Sequence, residues 1–234
     1  MRSGRVLYAL LGSMMFFLPA SVYASTIVDT KTVSFSSDLQ PAKNITLSSF
    51  DTLGGTRTLT GVTVELFHSG SADMGIDNDD LIKTADVNGR IVRTWSLTGP
   101  GIVGAGASKT VKTAVVHLAV DNGDGAAIVD MTGPDGTDFG TVSYSNLAAG
   151  TFNPATALYA TNGPGTVDFT VTPDFMSNDF QFTGTAPNNY YLAIENTNLT
   201  VAAKVTYTYT PEPATMALLA AGSLGTVILR RHRR

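Results

Sequence analysis

Side chains that could hold a metal ion are concentrated in two stretches rich in Asp, Asn and Gly. Asp77 and Asp79 belong to the first stretch, and Asp121 and Asp124 belong to the second. Calcium takes its oxygen ligands from flexible loops, and such stretches supply carboxylate, amide and main-chain oxygens together. These four carboxylates are therefore a tentative calcium site, the one cofactor that the sequence suggests. The alternative is a set of solvated turn residues, because 121–125 (DNGDG) lacks the ligand spacing and distal glutamate of a calcium loop.

Side chains suited to catalysis are scarce. The chain has no cysteine, which excludes disulfides, thiolate catalysis and zinc–thiolate sites. Away from the two ends the only histidines are His68 and His117. We expect His117 to be packed or edge-facing within an apolar strand, and His68 to end a strand and open a loop. No nucleophile elbow or metalloprotease helix motif accompanies them, so no enzymatic activity is predicted.

Two further patterns have a functional and a structural interpretation. Residues 99–104 (GPGIVG) match the G-x-G-x-x-G pattern of a dinucleotide site, but a β-branched strand follows where that site needs a helix. They are predicted to form a hairpin turn. Six aromatic residues could stack against sugar rings or could pack a core. They are Trp95, Phe175, Phe180, Phe182, Tyr190 and Tyr191.

Charge argues against one class of partner. The formal net charge is −4, but the basic residues are concentrated at the two ends of the chain. The stretch 25–210 holds 9 basic and 18 acidic residues, a net charge of −9. Because such a surface repels phosphate backbones, no nucleic-acid partner is expected.

The N-terminal residues have the three parts of a secretory signal peptide. Arg2 and Arg5 precede an apolar run at 6–18, and small residues, Val22 and Ala24, occupy the third and first positions before Ser25. This order predicts an apolar signal helix within residues 1–24 and cleavage between Ala24 and Ser25.

The C-terminal residues have the parts of a membrane anchor. Pro211, Glu212 and Pro213 precede an uncharged apolar run at 214–229, which is predicted to be helical. Four arginines then favour a cytoplasmic end and act as a membrane stop. They are Arg230, Arg231, Arg233 and Arg234.

This C-terminal order, Pro-Glu-Pro then apolar helix then arginine cluster, resembles the PEP-CTERM sorting signal. The resemblance implies that an exosortase reads Glu212 with its two prolines and removes the tail. It also implies an exopolysaccharide partner, because the family occurs in bacteria that make exopolysaccharide. The body has a second resemblance, to the choice-of-anchor E family. Residues 50–59 (FDTLGGTRTL) are close to that family's F-D-x-x-L-G-T-L opening, and 192–194 with 205–211 are similar to its close.

The elements that must position these residues are strands. Short alternating or β-branched segments are separated by Gly, Asn, Asp and Pro, and no segment keeps a helical period with caps at both ends. The predicted strands cover 26–35, 44–48, 57–67, 90–97, 110–120, 166–171, 179–182, 190–194 and 199–210. Gly61 predicts a bulge, and 69–89 and 121–165 are predicted to be rich in loops.

The pattern therefore predicts an all-β fold, an antiparallel β-sandwich of jelly-roll or immunoglobulin-like type over residues 25–210. A signal peptide at 1–24 precedes it and a sorting and anchor segment at 211–234 follows it. We expect an exported, non-catalytic protein of the cell surface or extracellular matrix, first anchored in the inner membrane. The alternative is a calcium- or carbohydrate-binding adhesion module.

Overall fold

The computed structural model describes residues 23–123 and 130–212, and this part of the chain is almost entirely β-strand. The strands are β1 (Ser25–Phe35), β2 (Lys43–Ser48), β3 (Phe50–Asp51), β4 (Arg57–Asp77), β5 (Ala85–Gly99), β6 (Ile102–Lys112), β7 (Val116–Leu118), β8 (Gly136–Phe152), β9 (Ala160–Thr161), β10 (Thr166–Thr183) and β11 (Tyr191–Pro211). A 3-10 turn at Thr156–Leu158 lies between β8 and β9.

The strands form two antiparallel sheets that pack as a sandwich, as the sequence predicts. Sheet A has the order β1-β11-β4-β8, and sheet B has the order β2-β10-β5-β6 with β7 beside β5. The paired strands are nested in sequence: β1 pairs with β11, β2 with β10, β4 with β8, and β5 with β6. A long antiparallel hairpin wound into two layers gives this order, and it is that of a jelly roll. The short pair β3–β9 is parallel and forms a separate two-stranded sheet.

Several predicted strand limits are wrong. β4 continues from 67 to Asp77 and β8 occupies 136–152, so much of the two predicted loop regions is strand. Two pairs of predicted strands are merged into the single long strands β10 and β11. Conversely, the predicted strand 110–120 is interrupted at 113–115. The predicted bulge beside Gly61 is confirmed, because Thr208 pairs with Gly61 and Tyr209 pairs with Leu59.

The predicted helices fall outside the described residues. The signal peptide helix and the apolar helix at 214–229 both lie there. Within 23–123 and 130–212, no helix has the length and apolar character needed to cross a bilayer.

The interior is divided into two apolar regions by a polar layer. Inward residues alternate along β5, where Ile91 belongs to one cluster and Trp95 belongs to another. Arg93 lies between them and is fully buried. His68, on the facing strand β4, is also buried and its Nδ1 lies 2.9 Å from the Tyr144 hydroxyl. This layer marks the boundary between the two halves of the sandwich.

Candidate functional site

The start of the predicted mature chain lies at the edge of sheet A. Ala24 is exposed, and Ser25 begins β1 opposite Tyr209 of β11. Ala24 is thus accessible, whereas Ser25 is half-buried and paired within sheet A. Cleavage between Ala24 and Ser25 stays a prediction.

The sorting motif begins where β11 ends. Pro211 is the last residue of β11, opposite Arg57, and Glu212 is exposed. The Glu212 N–H donates to the Thr56 carbonyl oxygen at 3.0 Å. The turn that carries Thr56 is held by Asp51, whose Oδ1 accepts the Leu53 N–H at 2.7 Å. Pro213 and the four terminal arginines lie outside the described residues.

We call this region, which comprises 24–25, 52–56 and 211–212, the tail end. Because β1 and β11 are antiparallel neighbours, the first residue of one strand lies beside the last residue of the other. Ala24 and Glu212, the residues next to the two terminal segments, therefore both lie at the tail end. Ser25 and Pro211 are held on one sheet by the main-chain hydrogen bonds of β1, β11 and β4.

The other end of β4 carries the acidic residues. β4 has 21 residues, so Asp77 lies about 65 Å along the strand from Arg57. Three segments meet there, 77–80, 119–123 and 130–135, and we call them the acidic end. The Asn78 N–H donates to the Asp135 carbonyl at 3.0 Å, and the Asp121 N–H donates to the Asp80 carbonyl at 3.1 Å.

The carboxylates of the acidic end are used as acceptors for main-chain N–H groups. Asp80 Oδ2 accepts the Asn188 N–H at 2.7 Å, and its Oδ1 accepts the Ile82 N–H at 2.9 Å. The hydrogen bond from Asn188 is the main reason why the pKa of Asp80 is lowered. Asp77 Oδ2 accepts the Asp130 N–H at 2.8 Å. These bonds fold the loops back onto the ends of the sheets.

The predicted calcium ligands are only partly brought together. Asp77 and Asp79 are buried, whereas Asp121 is half-buried and its Oδ1 accepts the Gly123 N–H at 2.8 Å. Asp124 lies outside the described residues. Within the described ranges, no three His, Asp or Glu side chains are grouped so that they could hold a metal ion. The calcium prediction for these four residues stays a prediction.

Three further carboxylates of the two acidic stretches, which the tentative calcium site does not include, also lie at the acidic end. Asp80 and Asp135 are 5% and 2% exposed, and Asp130 is half-buried. Asp130 Oδ1 accepts two hydrogen bonds from Thr132, one from its hydroxyl at 2.7 Å and one from its N–H at 2.8 Å. These two bonds are the main reason why the pKa of Asp130 is lowered. A sequence signal that favours Asp135 over its neighbours is the Pro-Asp-Gly turn at 134–136, which leads into β8.

The two histidines differ in their surroundings. His68 does not open a loop as predicted: it lies inside β4 and packs edge-on against Tyr144. Burial is the main reason why its pKa is lowered, and Lys109 adds to the effect. His117 lies in β7 with an exposed side chain, as an edge-facing residue would, and its Nδ1 is 2.7 Å from Asp86 Oδ1. The predicted hairpin turn is confirmed, with Gly101 at a φ of 70° between β5 and β6.

The six aromatic residues are separated by the fold. Trp95 is 1% exposed and belongs to the core, and Phe180 packs against the apolar residues of the acidic half. Phe175, Tyr190 and Tyr191 are exposed. Phe182 is half-buried and its ring centroid lies 5.2 Å from that of Tyr190.

A cavity of about 250 Å³ opens beside the acidic end. Three of its lining residues are the carboxylates Asp73, Asp138 and Glu195. Asp73 accepts hydrogen bonds from Thr141 and Asn196, which lower its pKa. Each Asp73 oxygen has a partner within the sheet, so Asp73 links β4 to β8 and to the bulge of β11.

Comparison with known proteins identifies the C-terminal segment. Residues 210–234 match the PEP-CTERM protein-sorting motif. No curated protein matches the chain. Among solved structures, "Structure of infectious bursal disease virus Gt strain" matches over 83% of this chain and 42% of that chain, at 14% identity and a TM-score of 0.15. The chain thus spans less than half of that viral chain, and the motif alone carries functional meaning. It implies export, processing by an exosortase and a location at the cell surface or outside the cell.

Proposed function

We propose that this protein is a non-catalytic component of the cell surface or extracellular matrix that associates with exopolysaccharide after exosortase processing. Before processing, its apolar segment at 214–229 holds it at the inner membrane, with the four arginines on the cytoplasmic side. The resemblance of the body to the choice-of-anchor E family belongs to the same proposal, because that family consists of exported domains with different anchors.

The observation that carries the proposal is the placement of Glu212. Its side chain is exposed, and its main chain is fixed to Thr56 at the end of a central strand. A protease that approaches the membrane surface would meet the motif at a defined distance from a folded body. The sandwich then extends away from the membrane along strands as long as β4.

A structural role also agrees with how the histidines are used. His68 is buried within the polar layer, and His117 is directed at Asp86 on the neighbouring strand. Neither side chain faces a serine or threonine hydroxyl at hydrogen-bond distance within the described residues.

The test compares two glutamate variants in the native host. Glu212→Ala removes the motif's carboxylate, and Glu195→Ala removes an exposed carboxylate from the body. We expect Glu212→Ala to accumulate in the membrane fraction with its tail intact, and Glu195→Ala to be processed like the wild type. Equal processing of both variants would contradict the proposal that the exosortase recognises Glu212.

A second candidate function is glycan binding by the body, favoured by the exposed aromatic residues. Tyr190 and Tyr191 are 40% and 48% exposed, and Phe182 supports the Tyr190 ring. Flat aromatic faces suit sugar rings, and an unoccupied aromatic face is costly to leave in water.

Retention on the host's purified exopolysaccharide tests this candidate. Tyr190→Ala should reduce retention at least several-fold, whereas Leu81→Ala, which removes an apolar side chain that is 70% exposed, should not. Equal retention of both variants would locate the contact elsewhere.

A further inference from the structure

One carboxylate of the acidic end lacks the partner that its burial demands. Asp135 is 2% exposed, and its Oδ2 accepts the Asn122 N–H at 2.8 Å. Its Oδ1 is buried and has no hydrogen-bond partner among the described residues. A buried carboxylate oxygen without a partner is rare in native proteins, and a bound ion or water would supply the missing partner.

The free oxygen faces a second carboxylate across Gly133. A Cβ built on Gly133 would lie 2.5 Å from Asp135 Oδ1 and 3.2 Å from Asp130 Oδ2. The two oxygens are therefore within about 6 Å of each other, where like charges destabilise one another unless a cation lies between them. The space between them exists because residue 133 has no side chain.

The loop that carries both carboxylates is closed on itself. A Cβ on Gly136 would lie only 1.7 Å from the Asp130 carbonyl oxygen, so the two ends of the loop are in direct contact. The Asp130 N–H is also fixed to Asp77 Oδ2. The two carboxylates thus keep their separation without the need for a cation to draw the loop together.

Among residues 23–123 and 130–212, no basic side chain forms an ion pair with Asp130 or Asp135. The ion pairs of the described residues join Arg90 to Asp179, His117 to Asp86, and Lys204 to Glu65. None of them involves Asp130 or Asp135.

We propose that Asp130 and Asp135 bind a calcium ion in the space above Gly133. Two carboxylates are enough for calcium, because carbonyl oxygens and water can complete its shell. This site differs from the four residues that the sequence suggests, and of those only Asp77 touches it, through the Asp130 main chain. It is independent of the sorting role of the tail.

Thermal unfolding of the full chain in detergent, with calcium or with a chelator, tests the site. With calcium at about 100 times its dissociation constant, the wild type should melt about 5 °C or more higher than with the chelator. Asp135→Asn keeps the bond from the Asn122 N–H and removes the charge. It should abolish the shift and should melt no lower than the wild type in chelator.

Gly133→Ala is the second variant, because it fills the space and leaves every carboxylate in place. It too should abolish the shift. Asp138→Asn is the matched control, since it removes a nearby carboxylate outside the pair, and its shift should equal that of the wild type. The proposal is overturned if the wild type does not respond at about 10 mM calcium, or if Asp135→Asn and Gly133→Ala both keep the wild-type shift.

Discussion

The tail end and the acidic end of the sandwich are stabilised by different interactions. Toward the tail end, the largest apolar cluster packs aromatic rings against both sheets, with Phe50, Tyr159, Phe169 and Tyr207 in contact. At the acidic end the apolar clusters are small, and buried side chains include Asn78, Asp80 and Asp135. One end is stabilised by apolar area, and the other by hydrogen bonds to carboxylates.

This difference suits the two proposed roles, sorting at the tail end and calcium binding at the acidic end. A body that is cut and released at its tail end needs strands there whose stability does not depend on pH or on bound ions. Apolar burial provides this, because it involves no titrating group. Buried carboxylates, in contrast, make local stability depend on protonation and on cations.

The largest effect is expected at the polar layer that separates the two halves. Arg93 donates to the carbonyl oxygens of Ser71, Ser177 and Asn198 at 2.7 to 3.0 Å. Arg93→Ala leaves these buried acceptors without donors and should lower the free energy of unfolding by about 4 kcal/mol. Urea unfolding measures this value.

Arg93→Lys is the matched control for that variant. It keeps the charge but lacks the planar guanidinium that donates to several acceptors at once. Its free energy of unfolding should therefore lie between those of the wild type and the alanine variant. If Arg93→Ala were as stable as the wild type, the two halves would not depend on this layer.

A smaller effect is expected for a single hydroxyl near the tail end. The Tyr207 hydroxyl donates to the Ser48 carbonyl at 2.7 Å and joins β11 to β2 across the two sheets. Tyr207→Phe should cost about 1.5 kcal/mol of unfolding free energy, by the same amount at pH 7 and pH 5. A loss that changes between these pH values would contradict the assignment of an ion-independent tail end.

The acidic end should lose stability in acid through Asp80. The pKa of Asp80 is lowered in the folded protein, chiefly by the hydrogen bond from the Asn188 N–H, so its contribution to stability is fully present above the ordinary pKa of an aspartate and is lost as the pH falls through the lowered pKa. Melting curves between pH 7 and pH 2.5 should show a steeper decline for the wild type than for Asp80→Asn. Parallel curves would show that Asp80 does not contribute to the loss of stability in acid.

The smallest effect is expected for an ion pair on sheet A. Lys204 Nζ lies 2.7 Å from Glu65 Oε2, and both side chains are about a third exposed. Because solvent and salt screen such a pair, Lys204→Ala should change the free energy of unfolding by about 0.5 kcal/mol or less. Repeating the urea titration at high salt should reduce the difference further.

The strand class, the two-layer fold and the sorting motif at 210–234 could be predicted from the sequence, but the full length of β4 could not. Residues 69–77 (SGSADMGID) look like a loop because Gly, Ser and Asp favour turns. In the structure Gly70, Ala72 and Met74 continue the inward alternation. Gly70 is small because Tyr144 and Arg93 fill its space: a Cβ there would lie 2.7 Å from the Tyr144 ring.

The pair of carboxylates at Gly133 could not be predicted from the sequence, for a related reason. Asp130 and Asp135 are separated by four residues in an irregular loop, so no periodic pattern relates their side chains. Their proximity comes from the contact between Gly136 and the Asp130 carbonyl, which is a tertiary feature. Sequence spacing identified the acidic region but not the residues within it that face each other.

The most direct test of the central claim is the intact mass of the protein from the membranes and from the culture medium of its native host. We predict a released species that begins at Ser25 and lacks the tail with its four arginines. Recovery of the protein only from membranes, with Arg230, Arg231, Arg233 and Arg234 still attached, would show that the tail is a permanent anchor and would contradict exosortase release.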